Sequence, residues 1–511
     1  MSAQSVIGPA SAGSRLTRER RSRDRDWLAA GNPVDVLVVG GGVVGAGVAL
    51  DAVTRGLSVA LVEKHDLAFG TSRWSSKLAH GGLRYLAKGQ VDVAWESAVE
   101  RDILATRIAP HLIRPIAQVL PLTSATPPAT AAVLHAGMFG GDGLRRGAGT
   151  PSALLPAPKR INAAQALSLT PTLDRTTLRG ALVSYDCALE DDARLVVGIA
   201  RTAAALGARI VTRAEVLSLG ADGATMRDTI DGGTYVVRAR SVINATGTDA
   251  GHLDSSVKLR PSQGSHAVLR ASALGNPAAA MTVPVPNHFG RFVFTVPQPD
   301  GWVLAGLTDE AVDEVAEVPV PNENEIGWIL STLSTALERP LAVDDVIGRF
   351  AGIRPLVDSG HADESSADIS RKHLVKRNDA GVVTVIGGKL TTYRRMAQDA
   401  VDLVSDNPCV TSGISLVGAA EGLDRSERLS RRFGAEGAVI AAIAELSPLL
   451  SEPVTAGAPV IGAEIAWAFM TEGALDAADA LERRTRLTLV DEWGQSARER
   501  VDEIAEWVTS G

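Results

Sequence analysis

Residues 34–45 have the sequence VDVLVVGGGVVG, and this stretch decides the fold. Its first six residues are mostly β-branched and apolar, which is typical of a strand buried in a parallel sheet. The glycines Gly40, Gly42 and Gly45 then allow a tight turn and a close approach of the backbone to a pyrophosphate. A helix is predicted over residues 44–55, and its free N–H groups and positive dipole end would face that group.

A second strand, predicted over residues 57–62, ends at Glu63, whose carboxylate can accept hydrogen bonds from a ribose diol. Strand, glycine turn, helix, strand and acid together predict a dinucleotide-binding βαβ unit more strongly than the glycines alone. The acid disfavours NADP but does not separate FAD from NAD. FAD is favoured by residues 244–247 (NATG), because a strand ending in Ala-Thr-Gly far downstream is typical of flavoproteins whose chain returns to the dinucleotide fold.

Two further regions are predicted outside this unit. Residues 265–270 and 291–306 have strand patterns with Gly and Pro between them, which indicates an antiparallel substrate-binding sheet inserted into the first domain. Apolar residues at helical spacing predict a C-terminal helical domain over residues 411–511. The expected fold class is therefore α/β, with a discontinuous Rossmann-like FAD-binding domain over residues 34–404.

Composition limits the setting of the protein. The chain has 511 residues, too many for one core, and its net charge of −8 argues against nucleic acid as the main partner. Residues 1–33 are rich in arginine and poor in apolar residues, so they predict a flexible basic extension. No run of 18 apolar residues occurs, and two cysteines fit a reducing, cytoplasmic setting. The histidines do not cluster, so no metal site is expected.

Several longer motifs resemble the FAD-dependent glycerol-3-phosphate dehydrogenases, within the superfamily of D-amino acid oxidase-like flavoproteins. They follow the order of that family, and the resemblance covers most of residues 34–403. The motifs are TSRWSSKLAHGGLRYL (71–86), DC (186–187), DDARL (191–195), GSH (264–266), GLTD (306–309), GIRPL (352–356), GGKLTTYR (387–394) and DALERRTRL (479–487). The resemblance implies oxidation of sn-glycerol 3-phosphate to dihydroxyacetone phosphate, with hydride transfer to FAD and electrons passed on to a membrane quinone.

A phosphate-bearing substrate needs arginines, because the planar guanidinium pairs bidentately with phosphate. Arg84, Arg354 and Arg371 are the candidates, together with Tyr85 beside the first of them. The resemblance implies that Arg354 and Arg371 contact the substrate. Arg354 lies between Gly352 and Pro355, so it is expected near a turn.

His266, Arg354 and Lys389 are the catalytic candidates. A neutral imidazole can take the hydroxyl proton near physiological pH, although the sequence leaves the identity of the general base open. A cation such as Lys389 would stabilise negative charge on the reduced cofactor. The cofactor-binding residues predicted from the glycine turn and the motifs are Gly40, Gly42, Gly45, Glu63, Thr71, Ser72, Ser75, Ser76, Lys77, His80, Gly81, Gly82, Ala245, Gly247, Gly388, Lys389, Leu390 and Thr391.

Alternative functions stay open at this point. A glycerol-3-phosphate oxidase that uses oxygen carries no distinguishing motif, and several arginines could clamp the carboxylate of an amine or amino-acid oxidase substrate. A flavin-binding module without catalysis is a third alternative. The resemblance also implies peripheral attachment to the cytoplasmic face of a membrane, which needs an amphipathic or basic surface. The sequence does not decide between a monomer and a homodimer.

Overall fold

The computed structural model describes residues 9–82, 85–86, 89–124, 126, 128–286, 288, 291–358 and 372–510. The strands in these ranges are β1 (Val34–Val39), β2 (Val59–Val62), β3 (Leu78–Ala79), β4 (Ile113–Thr123), β5 (Lys159–Ile161), β6 (Leu178–Leu189), β7 (Arg209–Val211), β8 (Ala214–Gly220), β9 (Gly223–Asp228), β10 (Thr234–Asn244), β11 (Leu259–Arg270), β12 (Ala280–Pro284), β13 (Phe292–Pro297), β14 (Trp302–Gly306), β15 (Glu310–Ala311), β16 (Val346–Val357), β17 (His373–Arg377) and β18 (Val383–Gly387).

The α-helices run between the strands and fill the C-terminal part. They are α1 (Arg18–Ala29), α2 (Val43–Thr54), α3 (Val91–Ile103), α4 (Pro128–Gly147), α5 (Ala163–Leu169), α6 (Asp192–Ala205), α7 (Ala250–Leu253), α8 (Glu323–Ser334), α9 (Tyr393–Val401), α10 (Arg428–Phe433), α11 (Gly437–Ala444), α12 (Pro448–Ser451), α13 (Gly462–Thr471), α14 (Ala477–Asp479), α15 (Asp491–Ser496) and α16 (Arg498–Ser510).

The first sheet has the strand order β17-β18-β10-β1-β2-β7, extended by the hairpin β8–β9 beside β10. The strands from β18 to β7 are parallel, and β1 lies between β2 and β10. Strand β1 is buried along almost its whole length, as its run of β-branched residues predicts. From β1 the chain continues to β2 and β7 on one side of the sheet and later returns to β10 on the other side. Sheets of this type bind ligands at the carboxyl ends of the two strands where the order reverses, here β1 and β10.

The second sheet has the order β15-β11-β14-β13-β12-β4-β6-β3, with β16 paired to β11 and β5 to β6. All its pairings are antiparallel except that of β12 with β4. Its strands come from two stretches of chain, β3 to β6 and β11 to β16, and each stretch lies between strands of the first sheet. The predicted fold class, a Rossmann-like domain with an inserted antiparallel sheet, is confirmed.

The expectation of a flexible extension over residues 1–33 is wrong for Arg18–Ala29, which form helix α1; residues 1–8 lie outside the described residues. Arg21 Nη1 donates to Asp228 Oδ2 at 2.7 Å, and both side chains are buried. Leu28 is fully buried beneath the first sheet. Several of the arginines that suggest a solvated tail therefore bind acids and carbonyls that are distant in sequence.

The C-terminal helices α10 to α16 share a core of their own, which includes the fully buried Trp467, Val501 and Ile504. The loop between α14 and α15 lies against β16, where Gly348 approaches the Leu489 carbonyl. Within the described ranges, no helix combines the length and apolar character that crossing a bilayer requires. The helical C-terminal region agrees with the sequence-based expectation.

Candidate active site

The glycine turn lies at the reversal point of the first sheet. Gly40 has a φ of +108°, and a β-carbon there would approach the Ala245 carbonyl oxygen to 2.6 Å. A β-carbon on Gly45 would collide with the Gly40 carbonyl. These close approaches require glycine at both positions, and helix α2 begins directly after the turn. The turn therefore fits the pyrophosphate of a dinucleotide.

Glu63 follows β2 beside this turn. Its Oε2 accepts from the Gly41 N–H at 2.6 Å and its Oε1 accepts from the His65 N–H at 2.8 Å. Burial raises the pKa of the Glu63 carboxyl, and the two N–H donors oppose that shift. Each carboxylate oxygen retains a further lone pair, so the group fits its predicted contact with a ribose diol.

Residues 71–77, called the active-site segment below, connect the two sheets. Ser72 Oγ accepts from the Val43 N–H at 2.9 Å, which places its hydroxyl at the N-terminus of α2 beside Gly42. Thr71 Oγ1 donates to the Ile353 carbonyl at 2.6 Å. The segment thus runs from the glycine turn to strand β16, one residue from Arg354.

His266 lies on β11, fully inside the protein. Its Nε2 is 3.0 Å from Ser76 Oγ, and its ring stacks on Phe350 with centroids 4.7 Å apart. Burial lowers the pKa of His266 to about 3, and the charges of Arg354 and Lys77 add to that shift. The imidazole is therefore neutral at physiological pH.

Arg354 lies on β16 and faces the same side of the sheet as His266, because Arg354 pairs with Ser262 and Phe350 pairs with His266 across β11 and β16. Its guanidinium covers Gly264, where any β-carbon would collide with it. The Arg354 Nη1 is 3.2 Å from Ser262 Oγ and 3.4 Å from Asp309 Oδ1. The structure thus brings two predicted catalytic residues onto one surface.

The side chains of Ser75 and Lys77 form hydrogen bonds inside the protein. Ser75 Oγ donates to Asp192 Oδ2 at 2.7 Å, and Lys77 Nζ donates to Asp192 Oδ1 at 2.8 Å. Burial lowers the pKa of Lys77, in spite of its pairing with Asp192. Both side chains are therefore bound to Asp192, and their predicted contact with the cofactor stays a prediction.

Lys389 lies at the far end of the site, against helix α3. Its Nζ donates to Ser97 Oγ and lies 4.4 Å from the ring centroid of Tyr85, which stacks on His80 at 6.1 Å. The preceding Gly388 has a φ of +68°. The structure therefore brings Lys389, Tyr85 and His80 together.

The other predicted cofactor residues take up turns next to these groups. The Gly81 N–H donates to Asp186 Oδ2 at 3.1 Å, and Gly82 and Gly247 have φ values of +78° and +60°. Leu390 and Thr391 form a 3-10 turn that leads into α9. Arg84 and Arg371 lie outside the described residues.

Sequence reasoning missed several residues that support the site. Asp192 holds the active-site segment, Asp186 binds the Gly81 N–H and Arg101, and Phe350 lies under His266. Both acids belong to motifs named above, DC and DDARL, but the motifs do not indicate what the two carboxylates bind. Phe350 lies outside every motif, so only its strand pairing reveals it.

Comparisons with known proteins agree with this geometry. Residues 35–394 match a family described as FAD dependent oxidoreductase, and residues 386–510 match the C-terminal domain of alpha-glycerophosphate oxidase. The chain is 46% identical over 507 residues to glycerol-3-phosphate dehydrogenase 1 of Mycobacterium tuberculosis, which covers 96% of this chain and 97% of that protein. It is 34% identical to a mitochondrial glycerol-3-phosphate dehydrogenase of Arabidopsis thaliana, with 93% and 83% covered.

Solved structures show the same fold. The glycerol-3-phosphate dehydrogenase of Bacillus halodurans complexed with FAD superposes with a TM-score of 0.73 at 26% identity, over 96% of this chain and 94% of that one. The reduced L-alpha-glycerophosphate oxidase of Mycoplasma pneumoniae with FAD bound gives 0.57 at 19% identity, over 75% and 99%. The second likeness concerns the fold alone.

Proposed function

The chain belongs to the FAD dependent oxidoreductase family and, within it, to the glycerol-3-phosphate dehydrogenases, and we propose that it oxidises sn-glycerol 3-phosphate to dihydroxyacetone phosphate. The observation that carries the proposal is the shared surface of Arg354 and His266. The guanidinium lies over Gly264, two residues before His266 on β11, which is about 7 Å along a strand. That separation suits a phosphate at one end and a C2 hydroxyl at the other.

Each side chain has a distinct task in this proposal. Arg354 binds the phosphate dianion through its guanidinium fork. His266 Nε2 accepts the hydroxyl proton, and Ser76 Oγ orients the ring. A bound phosphate offsets the Arg354 charge, one of the causes that depress the His266 pKa, so substrate binding raises the basicity of the imidazole when it is needed.

The cofactor supplies the redox step. FAD, when bound, accepts the hydride from C2. The glycine turn and Glu63 hold its dinucleotide part, and the cationic Lys389, which lies beside Tyr85, favours negative charge on the reduced cofactor.

The experiment is anaerobic mixing of the yellow protein with sn-glycerol 3-phosphate while the absorbance of oxidised flavin is followed. Rapid bleaching is expected with glycerol 3-phosphate and none with glycerol, because glycerol offers nothing for Arg354 to bind. A correctly folded protein that holds no FAD would contradict the proposal, as would one whose flavin glycerol bleaches equally well.

We propose a membrane quinone as the electron acceptor. Exposed apolar side chains on α3 and α4 support a lipid-soluble acceptor. Turnover with a soluble quinone should proceed without peroxide. Stoichiometric hydrogen peroxide and no quinone reduction would instead establish the oxidase alternative.

Peripheral contact with the cytoplasmic face of a membrane belongs to the same proposal. Val133 and Phe139 on α4 and Trp95 on α3 are 60%, 49% and 43% exposed, and α3 carries the Ser97 that binds Lys389. Exposed apolar side chains on these two neighbouring helices suit contact with a membrane, where a lipid-soluble acceptor is found. Val133→Asp should reduce flotation with anionic vesicles, whereas Val343→Asp, at a 61% exposed site elsewhere, should not. Equal flotation of the two variants would contradict it.

A further inference from the structure

The motif DALERRTRL lies in the C-terminal region, yet its last arginine reaches the active-site segment. Arg486 is buried, and its Nη2 donates to the Arg73 carbonyl at 2.6 Å. Its guanidinium lies 5.3 Å from the ring centroid of Trp74, and its Nη1 lies 3.4 Å from Asp192 Oδ1. One side chain of the C-terminal region therefore contacts the two residues Arg73 and Trp74 of the active-site segment and also the carboxylate of Asp192.

Asp192 binds both neighbours of Ser76. Its Oδ2 accepts from the Ser75 N–H at 2.9 Å and from Ser75 Oγ, and its Oδ1 accepts from Lys77 Nζ. Because residues 75 and 77 are tied to one carboxylate, the backbone between them is fixed. The Ser76 hydroxyl is thereby directed to His266 Nε2.

A second connection runs through aromatic rings. Trp74, which Arg486 contacts, stacks on Phe350 with centroids 5.3 Å apart, and Phe350 stacks on His266 at 4.7 Å. Both ring pairs are nearly parallel, with interplanar angles of 24° and 19°. A displacement of Trp74 is therefore passed by direct packing to the imidazole.

We propose that Arg486 is a positioning residue that holds Ser76 and Phe350 against His266, so that the C-terminal helical domain sets the orientation of the imidazole. This proposal rests on the proposed function, in which His266 takes the proton from the substrate. Arg486 touches neither substrate nor cofactor in it, and acts only through the active-site segment.

Arg486→Lys is the first variant, because lysine keeps the charge but cannot reach the Arg73 carbonyl, the Trp74 ring and Asp192 with one planar group. The rate of flavin reduction at saturating glycerol 3-phosphate should fall at least about tenfold, since a misplacement of about 1 Å costs up to about 100-fold. The dissociation constant for the substrate, governed by Arg354, should change less than about threefold.

Chemical rescue separates positioning from a loss of stability. In Arg486→Ala, millimolar guanidinium should recover part of the lost rate by filling the vacated site, and urea at the same concentration should not. Asp192→Asn provides an independent variant: it weakens the hold on Ser75 and Lys77 from the other side and should lower the same rate.

Arg201→Lys is the matched control. Arg201 is a buried arginine that pairs with Glu436 of the C-terminal region at 2.6 Å and also binds Ser14. This variant should lower the melting temperature but leave the reduction rate near that of the wild type.

A readout without substrate is the ¹⁵N resonance of His266 Nε2, identified by its loss in His266→Gln. It should shift in Arg486→Lys and stay in place in Arg201→Lys. Equal rates and equal resonances in these two variants would overturn the proposal. A wild-type flavin that glycerol 3-phosphate does not bleach would contradict the proposed function instead, and the resonance would still decide the role of Arg486.

Discussion

His266 shows how single-residue environments set the chemistry of the site. An imidazole in water has a pKa of about 6.5, and burial together with the nearby charges of Arg354 and Lys77 lowers that of His266 to about 3. In the proposed function this neutral imidazole accepts the proton, and an anion at Arg354 offsets one of the charges that lower its pKa.

The same shift predicts how stability depends on pH. Below pH 6.5 the unfolded chain binds a proton at this histidine, whereas the folded protein does not until about pH 3, so this residue makes the folded state less stable as pH falls through that window. The slope for one such proton is about 1.4 kcal/mol per pH unit. In His266→Gln the melting temperature should therefore fall less on acidification than in the wild type. His252→Gln, at an exposed histidine, should follow the wild type, and identical curves for all three proteins would refute the assignment.

Arg354 carries the second residue-scale prediction. Arg354→Lys keeps a positive charge but loses the fork that pairs with phosphate, so the substrate dissociation constant should rise by about 10-fold to 100-fold while the FAD content is unchanged. Anaerobic flavin titration measures both quantities. Arg349→Lys, on the opposite face of the same strand where it binds Glu323, is the control and should leave the affinity unaltered. Unchanged affinity in Arg354→Lys would show that the substrate phosphate does not bind to Arg354.

Single residues also show the limit of sequence reasoning. Arg354 and His266 could be selected because motifs and chemistry agreed at their positions, and the structure places both on one surface. Ser75 and Lys77 were assigned to the cofactor, yet their polar groups bind Asp192. That carboxylate lies more than 100 positions away in the chain, and spacing along a sequence does not reveal such a partner.

At the scale of elements, the βαβ unit was predictable because its conformation is determined locally. A buried strand, a turn that only glycine can adopt and an acid at the next strand end follow each other within about 30 residues. Helix α1 was not predictable in the same way. Its arginines suggest solvation, and only the folded hairpin β8–β9 supplies the buried Asp228 that one of them needs.

The glycine turn allows a direct test of this element. Gly45→Ala places a methyl group against the Gly40 carbonyl, so the turn must open and FAD should no longer copurify with the protein. Gly70→Ala is the control, because no atom lies within 4 Å of a β-carbon at that position. The flavin-to-protein absorbance ratio measures the difference. Full FAD content in Gly45→Ala would show that the cofactor binds elsewhere.

At the scale of the whole molecule, the C-terminal region and the FAD-binding domain are joined by buried ion pairs. Asp66, which follows Glu63 by three residues, accepts from Arg483 at 2.7 Å and from Arg484 at 2.8 Å. Burial would raise the pKa of Asp66, but the charges of the two arginines outweigh it and hold the pKa at about 2. Arg483 and Arg484 therefore bind near the glycine turn, and Arg486 of the same motif binds the active-site segment.

Breaking this junction should cost stability. Asp66→Asn leaves two buried guanidinium groups without their counter-charge, so the free energy of unfolding should fall by about 3–5 kcal/mol. Urea unfolding followed by circular dichroism measures the change. Asp502→Asn, at an exposed acid of α16, should have an effect below about 0.5 kcal/mol. A similar small effect in Asp66→Asn would mean that the two regions are held together by other contacts.

The sequence predicted two sheets and a helical C-terminal region, since each follows from local patterns. It did not predict the junction between them. Asp66 belongs to no motif, and DALERRTRL resembles a family segment without indicating what its arginines contact. Only the folded chain brings residues more than 400 positions apart into one ion-pair network.

The most direct measurement is a crystal structure of the FAD-loaded protein with dihydroxyacetone phosphate. The expected result is a phosphate paired with the Arg354 guanidinium over Gly264 and a carbonyl oxygen within hydrogen-bond distance of His266 Nε2. A phosphate bound elsewhere, with Arg354 still directed to Asp309 and His266 still bonded only to Ser76, would contradict the proposed substrate position.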